Sequence, residues 1–338
     1  MVLGGRTNRR AFMTALGSAV AVWPLAARAQ QAKKIPRIGF LTTGSLELPE
    51  TPVMINAFRQ GLRDLGYVEG ANILVEYKAA DSKIERFADQ ANDLVRLNVD
   101  VIVASNTPAA LAAQQATATI PIVVPIMGDP VKDGLVSSLA RPGGNITGLT
   151  FLGPELLPKR LALLKEALPS VSQLAALLHP HAYGESTMRD MMEQSEAAAK
   201  MLGVQLRLAA VQGPDDFDTA FSAMAQERAD ALLVFPSPML FTERRRIVDF
   251  AAKHQLPSMA MAKEFAELGG LMTYGASLPG LMRRSANYVD KIINGAKPGD
   301  LPVQQPTKFD LVINIKTAKA LGVDIPPSLL ARADEVIE

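Results

Sequence analysis

Three times in this chain a short apolar run, rich in β-branched residues, breaks into a small turn that ends in a polar residue followed by proline. The junctions are VDVIVASNTP at Val99–Pro108, IVVPIMGDP at Ile122–Pro130 and ALLVFPSP at Ala231–Pro238. A run with apolar residues at successive positions reads as a strand buried on both faces, as in a parallel sheet. Thr107, Asp129 and Ser237 each stand directly before a proline. That is the pattern of an N-cap with proline at the first helical position, where its missing N–H removes no bond. The chain is therefore predicted to build strand-to-helix turns at the carboxyl ends of parallel strands. Ligands collect at that edge of an open α/β sheet, because free N–H groups and the positive end of a helix dipole face outward there.

The segments around the junctions repeat the same alternation. Arg37–Thr43 reads as a first strand ending in the turn Thr42-Thr43-Gly44-Ser45, and Pro52–Leu65 as a helix stopped by Gly66. Ile73–Ala79 reads as a strand. Ser82-Lys83-Ile84-Glu85 has the spacing of a capping box ahead of an amphipathic helix. After Phe151 the alternation starts again, with helices predicted over Glu155–Leu168, Ser186–Leu202, Pro214–Gln226 and Glu243–His254 and strands between them. A glycine-rich strand near Gly269–Pro279 leads to a helix over Gly280–Asn294, and Lys308–Asn314 and Lys316–Leu321 read as a last strand and helix. The fold class is α/β, with two Rossmann-like lobes of parallel sheet. The first lobe is expected to hold residues 35–150 plus 276–300 and the second residues 151–275 plus 301–338.

The amino terminus has its own logic. Asn8-Arg9-Arg10-Ala11-Phe12-Met13 is a twin-arginine pattern, an apolar stretch follows, and Ala27-Arg28-Ala29 is a small-x-small cleavage site. Residues 1–29 are therefore expected to be a cleaved Tat-type signal, with the mature protein in the periplasm. The chain has 35 basic and 34 acidic residues; without the four arginines of that segment, 31 basic face 34 acidic. A mildly acidic mature chain carries no electrostatic footprint for nucleic acid. Cysteine is absent, which excludes disulfides and thiolate chemistry. No GxGxxG, Walker A, HExxH or GxSxG motif occurs, so no cofactor and no enzymatic activity are predicted. His179 and His181 flank Pro180 without a carboxylate at metal-site spacing, so no metal is predicted either.

Three segments carry a family resemblance: Pro121–Thr150 (PIVVPIMGDPVKDGLVSSLARPGGNITGLT), Glu264–Gly275 (EFAELGGLMTYG) and Leu301–Gly322 (LPVQQPTKFDLVINIKTAKALG). In these the chain resembles the substrate-binding proteins of ABC transporters, in the group that includes tryptophan/tyrosine-type binders. The resemblance implies the type I periplasmic-binding-protein fold, with lobes joined by three hinge strands and one small-molecule solute in the cleft. It also implies delivery to an ABC permease in the inner membrane by a monomeric protein. A ligand-sensing subunit for a membrane receptor and an exported two-lobed enzyme are the alternatives.

The candidate ligand residues follow from the junctions. Ser105, Asn106 and Thr107 offer N–H groups and hydroxyls to a carboxylate, beside Thr42 and Thr43 at the end of the first strand. Gly128 and Asp129 form the second junction, where Asp129 is expected to pair with a ligand ammonium as well as cap its helix. Ser237 marks the third junction, Tyr183 lies just past a strand end, Tyr274 at a hinge, and Lys263 after a late strand. An amino acid or analogue fits this charge pattern, whereas Arg244-Arg245-Arg246 reads as an exposed helix face.

Export should depend on the paired arginines. Replacing Arg9 and Arg10 by lysine keeps charge and hydrophobicity, yet should hold the precursor in the cytoplasm, because the address is read by a receptor. Fractionation that finds processed protein in the periplasm at normal yield would refute the Tat assignment.

Overall fold

The computed structural model describes residues 1, 34–47, 51–227 and 229–338. The predicted signal, apart from Met1, lies outside the described residues. Residues 36–338 form one compact unit.

The first lobe opens with β1 (Arg37–Thr42), α1 (Thr51–Asp64), β2 (Leu74–Ala79), α2 (Arg86–Arg96), β3 (Val101–Ala104), α3 (Thr107–Ala116), β4 (Ile122–Met127) and β5 (Ile146–Thr150). Its five strands are all parallel, in the order β2-β1-β3-β4-β5. Every residue of β3 is buried, as a strand covered on both faces must be. Phe87, Ala91 and Leu94 of α2 join Ala109, Ala110 and Ala113 of α3 over one face.

The second lobe continues with α4 (Leu157–Ala167), β6 (Gln173–Leu178), α5 (Glu185–Met201), β7 (Gln205–Ala210), α6 (Phe217–Gln226), β8 (Ala231–Val234), α7 (Pro238–Thr242) and α8 (Arg244–Lys253). It then runs through β9 (Ser258–Ala260), α9 (Lys263–Glu267) and β10 (Met272–Gly275). Helix α10 (Leu278–Ile293) returns to the first lobe, packing on α1, β4 and β5. The chain ends with β11 (Asp310–Asn314), α11 (Ile315–Leu321), α12 (Pro327–Leu330) and β12 (Glu335–Ile337), giving a seven-stranded sheet in the order β12-β11-β10-β9-β8-β6-β7.

Four local expectations change. The second sheet is not wholly parallel, since β10 and β11 are antiparallel. The chain explains this. It leaves β10 at the carboxyl edge, runs through α10 in the first lobe, lies along β5 (Gln304 N donates to the Gly148 carbonyl at 3.1 Å), and re-enters the second sheet from that same edge. The helix after the first junction is capped by Asn106, whose side chain accepts from Ala109 N, so Thr107 is its first residue. No helix follows Asp129; residues 130–134 form turns. Ser82 is not a cap, because it has positive φ and α2 begins only at Arg86.

Arg160, on α4, ties the crossings together. It falls on the buried stripe of its helix with Leu157, Leu161 and Leu164, and is itself 0% exposed. Its Nε donates to the Tyr274 carbonyl at 2.7 Å and its Nη1 to the Gly153 carbonyl at 2.8 Å. Gly153 lies on the first crossing and Tyr274 beside the second. Burial lowers its pKa to about 10, so the guanidinium is still charged at neutral pH. Arg160→Met keeps most of the volume but leaves both carbonyls without their donor. It should lower stability by about 1–3 kcal/mol in urea unfolding, and unchanged stability would show that the two carbonyls do not depend on Arg160.

Candidate functional site

The carboxyl ends of strands from both sheets meet around a cavity of about 70 Å³ measured by water centres, where one water needs roughly 10–15 Å³. The first lobe contributes Thr42 at the end of β1, Thr43 and Gly44 just after it, and Ser105 and Asn106 after β3. The second contributes Tyr183 after β6, Ser237, Pro238, Phe241, Thr242 and Arg244 around α7, and Met261 after β9. Phe151 enters from the first crossing, Leu278 and Met282 from α10, and Met54 from α1. Such mixed walls, largely apolar with a few fixed polar groups, are typical of small-molecule sites.

The polar side of the first lobe is organised by Asn106. Its Oδ1 accepts from Ala109 N at 3.2 Å, which fixes the orientation of the amide. Its Nδ2 then donates to Thr43 Oγ1 at 2.6 Å and to Ser105 Oγ at 2.8 Å. On the opposite side, Ser237 caps α7 by accepting from Leu240 N at 3.3 Å and lies 3.1 Å from His179 Nδ1. Burial holds the His179 pKa down to about 4, so the ring is neutral at pH 7. Arg244, only 5% exposed, donates to the Phe241 carbonyl at 2.8 Å and lies 4.5 Å from that residue's ring centroid.

Six of the predicted residues line the cavity: Thr42, Thr43, Ser105, Asn106, Tyr183 and Ser237. Five stand elsewhere. Thr107 Oγ1 accepts from Gly128 N at 3.0 Å, tying the first two junctions together. Gly128 serves by its lack of a side chain: a Cβ there would lie 2.7 Å from Tyr183 Cδ1. Asp129 Oδ1 accepts from Val131 N and Lys132 N, and Oδ2 lies 3.7 Å from Lys132 Nζ. Both of its oxygens are thus engaged by its own turn, outside the cavity wall. Lys263 is exposed and pairs with Glu267 at 3.0 Å. Tyr274 contributes its carbonyl to Arg160, and its ring packs on Phe309 at 6.2 Å. Among the described residues, no group of three or more His, Asp or Glu could hold a metal ion.

Arg244 is a correction. It is not an exposed residue, because it shares the i, i+3, i+4, i+7 spacing of Ile247, Val248 and Ala251 on the buried face of α8. That spacing was available in the sequence. Ile126 had a fainter signal. Pro125 cannot donate to the ladder, and the β4–β5 register shifts between Val124 and Met127, beside the Ile126 that enters the wall.

The family model for the ABC transporter substrate binding protein matches residues 45–337. The chain belongs to this family. It is 26% identical over 284 residues to a protein named tyrosine-binding protein from Clostridioides difficile strain R20291, covering 83% of this chain and 80% of that protein. Two solved structures are similar. A conserved domain protein from Vibrio cholerae O1 biovar eltor matches with a TM-score of 0.81 at 31% identity, over 90% of this chain and 100% of that one. The ABC domain in complex with L-Trp from Streptococcus pneumoniae matches with a TM-score of 0.80 at 26% identity, over 89% and 99%.

In this substrate-binding protein the lobes also meet beside the cavity. Lys132, after β4, forms an ion pair with Asp190 of α5. Asp133 Oδ1 accepts from Gly184 N at 3.1 Å, at the N-terminus of α5. Burial pushes the Asp133 pKa up to about 6, with Asp129 and Glu155 adding like-charge repulsion and Thr187 and the Gly184 N–H opposing them. A carboxyl whose pKa is raised on folding binds its proton more tightly in the folded state, so it destabilises above that pKa and ceases to do so as pH falls through it. Asp133→Asn should therefore raise stability at pH 7–8 by about 1–2 kcal/mol after allowance for solvent screening. The gain should vanish between about pH 6 and pH 4, read from melting temperatures across that range. A gain that persists at pH 4 would contradict the assignment.

Proposed function

We propose that this chain is the solute-capturing component of an ABC importer, acting in the periplasm as a monomer and passing its cargo to an inner-membrane permease. Its solute is a small carboxylate-bearing molecule with an apolar body, an amino acid or a close analogue. The observation that carries this reading is the cavity itself, where Ser105 and Asn106 at the N-terminus of α3, with Thr43 after β1, face a wall of Met, Phe and Leu side chains. Hydroxyls at the positive end of a helix suit a carboxylate, and the apolar wall suits the rest of the molecule. Relatives named for tyrosine binding or solved with L-Trp support a solute of amino-acid size. The three crossings act as hinges, so that capture is a closing of two lobes rather than a chemical step.

Calorimetric titration against amino acids and simple carboxylic acids should give one site per chain, with the solute recovered unchanged. Thr43→Val combined with Ser105→Ala removes two donors and should weaken the best solute by roughly 10- to 100-fold. Steady conversion of that solute to product would overturn the transport reading. Unchanged affinity in the double variant would move the carboxylate site elsewhere.

A further inference from the structure

Two neighbouring residues of the second lobe rest on the first. Tyr183 stands over Gly128, and Gly184 stands over Asp133, where a Cβ on Gly184 would lie 2.6 Å from Oδ1. The seam between the lobes thus sets backbone directly on a carboxyl group. Asp133 Oδ1 accepts from Gly184 N at 3.1 Å. Its Oδ2 is shut away from solvent and has no hydrogen-bond partner among the described residues. The Thr187 hydroxyl of α5 favours the charged form, yet it too is buried without a full hydrogen bond. A carboxylate oxygen in that position has lost its water without a full replacement.

The charged groups around this carboxyl do not compensate it. Asp129 from its own turn and Glu155 from the first crossing both repel it. Lys132, also from its own turn, is held by Asp190 of α5 and lies 3.7 Å from Asp129. Arg160 acts on Glu155, and the buried phenol of Tyr183 is neutral, its pKa raised well above the usual value by burial. Glu185 and Arg189 of α5 are exposed. The Gly184 N–H and the positive end of α5 favour the carboxylate, but burial outweighs them and pushes the Asp133 pKa up to about 6.

Resting on the capture reading above, we infer that closure of the lobes takes up a proton at Asp133, so that the closed form gains over the open one as pH falls. When the lobes part, Gly184 and Thr187 leave with the second lobe, water reaches both carboxyl oxygens, and the group returns toward the usual aspartate range. A proton held more tightly in one of two conformations draws the protein toward that conformation in acid. The hold on a solute captured by closure strengthens by the same factor.

The test follows the lobes directly and needs no solute. The chain has no cysteine, so spin labels attached at Asn92→Cys and Gln194→Cys report the distance between lobes by pulsed electron resonance. Both are exposed, uncharged positions, one on α2 of the first lobe and one on α5 of the second. From about pH 8 to pH 5 the ratio of the short-distance to the long-distance population should rise about three- to tenfold, after allowance for solvent screening. The rise should begin as pH falls through about 6. In Asp133→Asn, neutral at every pH, the ratio should be flat and already near the acid value of the unsubstituted protein. Asp133→Ser, a second neutral variant, should be flat as well.

Two populations whose ratio ignores pH overturn this inference and leave the capture reading standing. So does a rise of the same size in the neutral variants, which would place the titrating group elsewhere. A single distance at every pH also overturns it, and joined to silence in the calorimetric titrations it removes the capture reading as well.

Discussion

The two hydrogen bonds from Arg160 to the carbonyls of Gly153 and Tyr274 are the contact on which the two-lobed arrangement turns. Gly153 lies outside both sheets and Tyr274 near the end of β10, and buried backbone carbonyls need donors. A neutral side chain could serve one of them. A guanidinium presents several donors in a rigid plane and serves two at once. Its third nitrogen, Nη2, has no partner among the described residues; it lies 3.4 Å from the point where a Cβ on Gly275 would stand. It is the Met261 carbonyl, 2.0 Å from that same point, that requires Gly275 to lack a side chain. The charge is retained because the alternative, two unpaired carbonyls at the junction of the lobes, is worse.

The character of the cavity follows from a smaller device of the same kind. Asn106 is a helix cap first, and the capping bond decides which way its amide faces. That orientation makes the Thr43 and Ser105 hydroxyl oxygens acceptors from Asn106 Nδ2. One local requirement of α3 therefore sets the polarity of a wall built from three residues on two strand ends. Cap preference and the hydrogen bonding of the two hydroxyls are linked through a single planar group.

Much of this was legible in the chain, and the failures have physical causes. The strands of the three junctions were readable because buried parallel strands are apolar at every position. Cavity-lining residues at strand ends were readable because the carboxyl edge of an open α/β sheet is where pockets form. Thr42, Thr43, Ser105, Asn106, Tyr183 and Ser237 line the cavity for that reason. Proline marked helix starts less well. Asn106 competes with Thr107 for the same cap, and Asp129 satisfies its two amides in a turn that goes no further. The antiparallel pairing of β11 depends on the route taken by α10, which local pattern does not carry. The apolar wall was unreadable, since Met54, Phe151 and Met282 resemble core residues until both lobes are in place. Arg160 and Arg244 were readable in principle, each a lone cation on an otherwise apolar helical stripe.

In the proposed capture, Tyr183 serves both the contact between the lobes and the solute site. Its ring comes from the second lobe and rests on the backbone of the first at Gly128, where only glycine leaves room. It also stacks near Phe151, with centroids 6.5 Å apart, and forms part of the cavity wall. One face of the contact between lobes is therefore also a face of the solute site. A solute that fills the cavity would touch both lobes at once in the arrangement in which Tyr183 meets Gly128. In the proposed capture, the differential contact that a closing equilibrium requires would include the side chain that also packs the lobes together.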